Sequence, residues 1–253
     1  MKPYQDETVF NWIRNGRDAH NSSEDSRWTG NFVSHLMPNR FESYAKILHL
    51  VEGRYDNVDS PLTPQENSIL KIPDCEKLKS LVVNMREISP EPRILWKTIG
   101  DSLGVPLSPE IKPEWYRTKI EPGCWPRFLI GPADGSLSDE ECVELASLLE
   151  PFIPVKECFF RFSEIQFIAT DKPLLFRGEL DKISQFLADG RYQFGPEYWW
   201  PTDREWCVCS DYDLEYTIVG GCKELVASFL TSTVLECLEV TPKTRIDYLA
   251  PMP

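Results

Sequence analysis

The sequence predicts an α+β fold, a mixed or antiparallel sheet with short helices packed on it. Three observations point there. Apolar and aromatic runs such as Phe159–Phe162 and Leu174–Phe176 are short and bounded by turn residues, as strands are. They alternate with helical patterns of only about two turns. The long, regular βαβ units that build a parallel nucleotide-binding sheet are missing.

The elements follow in chain order. Glu7–Arg14 places Val9, Phe10 and Ile13 at helical spacing, and His20–Arg27 reads as a polar loop. Phe41–Val51 fits both periods: Phe41, Ser43, Ala45 and Ile47 alternate like a strand, while Tyr44, Ile47 and Leu48 satisfy a helix. Prolines at 61, 64 and 73 make residues 52–73 loop-like. Cys75–Ile88 and Ile94–Leu103 read as helices, the second stopped by Gly104. A single domain over 1–253 is expected. Any subdomain boundary belongs at the proline-rich stretch 105–126, between a mainly helical 1–104 and an α+β 127–253.

Ser138-Asp-Glu-Glu141 is a capping box, in which serine and glutamate satisfy the orphan amides of a helix start. Cys142, Leu145, Ala146, Leu149 and Phe152 then mark one helix face, closed by Pro151 and Pro154. Asp181–Ala188 reads as a short helix, Glu205–Val219 as one long strand or a hairpin, and Gly220-Gly221 as a turn. Lys223–Leu230 is a helix and Leu235–Val240 a last strand. Helices this short suggest a sheet covered on one side.

Charge narrows the partners. Forty acidic residues oppose 27 basic ones, a net charge of −13, and there is no basic run. Nucleic acid and an anionic membrane are therefore not expected as ligands. A basic partner protein, a cation, or solubility alone fits better. No apolar run approaches the ~20 residues of a bilayer span. The eight cysteines come without a signal segment or any CxxC pair, which reads as reduced thiols in a cytoplasmic protein. Cys207-x-Cys209 lacks the further ligands zinc needs, and the three histidines lie far upstream, so no metal site is expected. His49, in an apolar segment, reads as a packing residue. Phosphate-loop, dinucleotide, serine-hydrolase, zinc-protease and EF-hand motifs are all absent, and no cofactor is indicated.

Tyr198–Gly221 stands out. Trp199, Trp200 and Trp206 cluster around Asp203-Arg204, where large rings beside charge make either a binding pocket or a core edged by an ion pair. If Glu205–Val219 is one strand, its period of two places Asp211, Asp213, Glu215 and Thr217 on one face. That row either binds a divalent cation, a cationic ligand or a basic partner, or is the solvated face of a sheet. A turn between Asp211 and Glu215 would break it.

The pattern Trp-Trp-Pro-x-Asp-Arg-x-Trp-x-Val-x-x-Asp-x-Asp-x-x-x-Thr-x-Val-Gly-Gly over 199–221 resembles a motif of a family of uncharacterised bacterial proteins, and Phe41-x-x-Tyr-Ala-Lys-Ile-Leu-His49 is similar to its N-terminal signature. The resemblance covers about half of the chain. It implies a bacterial cytoplasmic protein and carries no activity with it. A looser likeness, without matching motifs, is to small acidic α+β immunity proteins of the SUKH type. The expected function is an interaction protein, immunity-like, for a basic partner. The alternative is a small-ligand-binding domain or enzyme using Asp203, Arg204, Asp211 and Asp213 beside the aromatic cluster, with a divalent cation.

Overall fold

The computed structural model describes residues 1–18, 31–54, 79–80, 82–84, 92–112, 115–116, 128–162, 174–187 and 195–247. The expected loop at His20–Arg27 lies outside them, as does most of the expected helix Cys75–Ile88, of which 79–80 and 82–84 are helical.

The chain opens with strand β1 (Lys2–Pro3) and a 3-10 turn, Glu7–Phe10, that runs into helix α1 (Asn11–Gly16). Helix α2 (Val33–Leu36) and strands β2 (Ser43–Leu48) and β3 (Val51–Gly53) follow. Then come β4 (Arg93–Ile94), α3 (Trp96–Leu103), β5 (Leu129–Ile130) and α4 (Asp139–Leu149), which continues into the 3-10 turn Glu150–Phe152. Strands β6 (Cys158–Phe162) and β7 (Leu174–Gly178) lead to the 3-10 turn Leu180–Lys182 and α5 (Ile183–Leu187). Last are β8 (Tyr198–Pro201), β9 (Cys207–Cys209), β10 (Tyr216–Gly221), α6 (Lys223–Leu230) and β11 (Glu236–Val240).

These elements divide into two compact units, 1–49 with 134–250, and 50–133 with 251–253. The expected boundary region 105–126 falls inside the second unit. Residues 1–49, read with a mainly helical half, supply β1 and β2 to the large sheet of the first. The second unit carries a small sheet of order β4-β3-β5 and α3, ended by Gly104 in the left-handed conformation (φ 67°) that a C-terminal glycine adopts without penalty.

The first unit is α+β, with an eight-stranded sheet of order β1-β7-β6-β8-β9-β10-β2-β11. Every pairing in it is antiparallel. Pairing resolves the ambiguous segment: β2 is held by β10 on one side and β11 on the other, so its alternation wins over its helical spacing.

One face of the sheet presents Ala45, Ile47, Phe160, Phe162, Trp199, Val208 and Val219 to the apolar faces of α4, α5 and α6. The other face is covered too. Phe10 packs its ring against Tyr198 and Trp200 at 5.1 and 5.8 Å, so the expectation of a sheet covered on one side is corrected. The N-terminal turn and α1, each too short to advertise a layer, supply the second cover.

Gly220 and Gly221 are the last residues of β10, not a turn. A Cβ on Gly220 would lie 2.4 Å from the Phe41 ring, and one on Gly221 2.6 Å from Leu225 Cδ2. The pair lets a ring and an α6 leucine settle on the strand, which is the use of glycine inside a sheet.

Helix α4 starts as its sequence requires. Ser138 Oγ accepts from the Glu141 N–H at 3.2 Å, and Glu141 Oε2 accepts from the Ser138 N–H at 3.0 Å. Ser138→Ala is expected to lower the unfolding free energy by about 1 kcal/mol in urea melts. A change below about 0.3 kcal/mol would show that packing, not the cap, sets this helix start.

Candidate functional site

Strands β8, β9 and β10 form an antiparallel meander whose residues are all buried. Trp199 stacks on Phe160 at 6.2 Å and meets Trp206 edge-on at 6.3 Å. Trp200, on the opposite face, stacks on Phe159 at 5.5 Å. The three tryptophans are core residues on the two sides of the sheet, not a pocket.

Asp203 and Arg204 sit exposed in the β8–β9 turn and do not pair with each other. Asp203 Oδ1 accepts from the Glu205 N–H at 3.1 Å, while Arg204 has φ 65° and lies over the Trp12 ring at 5.7 Å. The acidic row is also corrected, because a turn separates β9 from β10. Asp211 Oδ1 accepts from the Asp213 N–H at 3.0 Å and Asp211 O from the Leu214 N–H at 3.0 Å, closing the turn. Glu215, buried just before β10, receives the His49 N–H on its backbone oxygen.

Since β9 is antiparallel to both neighbours, its two turns lie at opposite ends of it. Asp203 and Arg204 therefore lie at the far end of β9 from Asp211 and Asp213, and the four do not form one cluster. Among the described residues no three His, Cys, Asp or Glu side chains converge on a common point to hold a metal ion.

Thr217 is fully buried. Its hydroxyl meets Ser210 Oγ at 2.7 Å and His49 Nε2 at 3.0 Å, so all three polar groups are satisfied inside the sheet. Burial pushes the Cys142 thiol up to about 12 and raises those of Cys158, Cys207 and Cys209. These sulfurs pack in the core, in surroundings that disfavour the thiolate.

Sequence reasoning missed an ion pair within the fold. Arg161 Nη1 donates to Glu197 Oε2 at 2.6 Å, with the side chains only 11% and 15% exposed, and its guanidinium lies 4.3 Å from the Phe10 ring centroid. Burial raises the Glu197 carboxyl, and Arg161 opposes that rise.

It also missed a groove of about 480 Å³ between α4 and the segment 179–184. Ala146, Ile153, Leu180 and Ile183 line it with apolar surface, while Val143, Ser147 and Ser184 stand at its exposed mouth. Glu150, Glu179 and Asp181 supply carboxylates around it. Lys156 pairs with Glu150 at 2.7 Å and Lys182 with Asp181 at 2.9 Å, but these contacts are exposed and hold weakly. Two signals mark the groove in the sequence. Val143, 54% exposed, is an apolar residue on the solvent side of an otherwise amphipathic helix. Asp134–Val155 also carries six carboxylates and no Lys, Arg or His.

No helix among the described residues is long and apolar enough to cross a membrane. Comparison with models of protein families, with curated proteins and with solved structures finds no match to this chain.

Proposed function

We propose that this chain is a non-catalytic binding protein that receives a basic amphipathic helix of a partner protein in the groove between α4 and α5. The observation that carries the reading is the groove itself, an apolar floor whose margin sets Glu150, Glu179 and Asp181 against Lys156 and Lys182, on a protein of net charge −13. Its volume also suits a small molecule. Yet the floor offers no buried polar groups that converge, as a small-molecule site requires, while apolar anchors with cationic flanks suit an apolar floor edged by three carboxylates. An immunity-type role, occupying the basic surface of a toxin, is the form of this function that a bacterial cytoplasmic protein would take. Kinship with the uncharacterised bacterial family is part of the same proposal.

The test uses two labelled synthetic helices, one of leucine and lysine, the other of leucine and glutamate, read by fluorescence anisotropy. The cationic helix is expected to bind and the anionic one not, with affinity falling as salt screens the margin. Ser147→Arg and Ser184→Arg fill the mouth and reverse its charge. Each is expected to weaken binding about tenfold or more, and to change stability by under about 0.5 kcal/mol. Equal binding of both helices, or full affinity in both variants, would overturn the proposal.

A further inference from the structure

Away from the groove, the Asp203-Arg204 pair has a second consequence. Arg204 is the one non-glycine residue with positive φ among the described residues, at 65°. A side chain there costs energy that a glycine would not, and such strain persists where the surroundings hold it in place. What Arg204 reaches is Trp12. Its guanidinium carbon lies 5.7 Å from the ring centroid, and that of Arg40 lies 5.6 Å from the same ring.

Both arginines stand on fixed backbone. The Arg204 N–H donates to Pro201 O at 3.0 Å. On the other side, Tyr44 accepts from the Phe41 N–H at 3.1 Å and donates to Pro38 O at 2.7 Å, which pins the loop bearing Arg40. Trp12 is held edge-on by Phe41 and Trp200 at 6.3 and 6.4 Å. The glycine at 220 is what lets Phe41 sit there.

Carboxylates outnumber cations in this chain; Arg161 meets both Glu197 and Glu7, and Arg177 and Arg245 each have one. Arg40 and Arg204 are exposed and meet none within ion-pair distance among the described residues. A guanidinium attracted to an indole ring keeps N–H donors that can grip phosphate or carboxylate in a forked pair of bonds. Arg40 and Arg204 thus place two exposed guanidiniums 5.6 and 5.7 Å from one ring centroid on an otherwise anionic protein.

We propose that Arg40 and Arg204, set on Trp12, bind a small multivalent oxyanion, with a diphosphate-type group as the best match to two separated guanidinium forks. This site is independent of the groove and of the function proposed for it.

Isothermal titration with inorganic pyrophosphate at constant ionic strength tests it, with citrate as the polycarboxylate arm. Pyrophosphate is expected to bind saturably in the wild-type chain. Arg40→Gln and Arg204→Gly are each expected to weaken it about tenfold or more, the loss of one charge-assisted contact. Glycine suits the left-handed backbone at 204, so Arg204→Gly should keep or raise the melting temperature while losing the ligand. A merely structural arginine would show the reverse, a lower melting temperature with nothing lost in binding. Tighter binding of citrate than of pyrophosphate would assign the site to polycarboxylates. Absence of saturable binding of either anion at millimolar concentration, or wild-type affinity in both variants, would overturn the proposal.

Discussion

Arg161→Met is expected to cost up to roughly 3 kcal/mol of unfolding free energy at pH 7, because it leaves the largely buried Glu197 carboxylate without its hydrogen-bonded cation and with only the influence of Arg17. The pair is close, at 2.6 Å, and both side chains are largely withdrawn from water. The loss should depend on pH, with a definite sign. Burial raises the Glu197 carboxyl in the folded protein, so the folded state holds that proton more tightly than the unfolded chain. The favourable contribution from protonation is present at low pH and disappears as pH rises through the folded value. Arg161 opposes the rise, so removing it moves the folded value further up. The deficit of the variant should therefore shrink as pH falls toward the ordinary glutamate value of ~4.3. Adding Glu197→Gln to Arg161→Met should recover part of the loss at pH 7, since the buried carboxylate is then gone while Arg17 loses its attraction to it. Urea melts between pH 4 and 8 read all of this, and a deficit below about 1 kcal/mol would place the pair among ordinary surface contacts.

Trp199→Ala is expected to cost about 3–5 kcal/mol, through lost apolar burial and the cavity left between Phe160 and Trp206. Asp213→Ala, fourteen positions on in the same motif, should change stability by less than about 0.5 kcal/mol, because its side chain is exposed. The contrast separates two readings of the motif. A tryptophan that formed the wall of an open pocket would tolerate truncation far better than one that stacks inside the sheet.

Much of the fold is legible because it is written locally. The Ser138–Glu141 box, the α4 stripe from Cys142 to Leu149 and the helix Lys223–Leu230 each need only neighbouring residues, and each lies where its pattern places it. Elements that depend on distant partners were not legible to the same degree. Within Phe41–Val51, Ser43–Leu48 becomes a strand because β10 and β11 flank it. Gly220-Gly221 reads as a turn until Phe41 and Leu225 are seen resting on it. The acidic row failed for a nearer reason: Asp211 can cap its own turn through the Asp213 N–H, a local bond that competes with the extended strand.

The candidate sites follow the same logic. Both walls of the groove were readable as helices, but not that they lie side by side around an open floor. The Arg161–Glu197 contact depends on the pairing of β6 with β8, and the Trp12 cluster on three segments meeting at one sheet face. Composition counts the excess of carboxylates but not their placement, and the row at Asp211–Glu215 is broken by a turn.

The most direct measurement is a residue-resolved amide chemical-shift titration of the folded protein with the cationic leucine–lysine helix. The largest shifts are expected at Val143, Ser147 and Ser184 and along the α4 and α5 walls, saturating together. Shifts centred on the hairpin turns around Asp203 and Asp211, or no saturable shift at all, would contradict the assignment of the working surface to the groove.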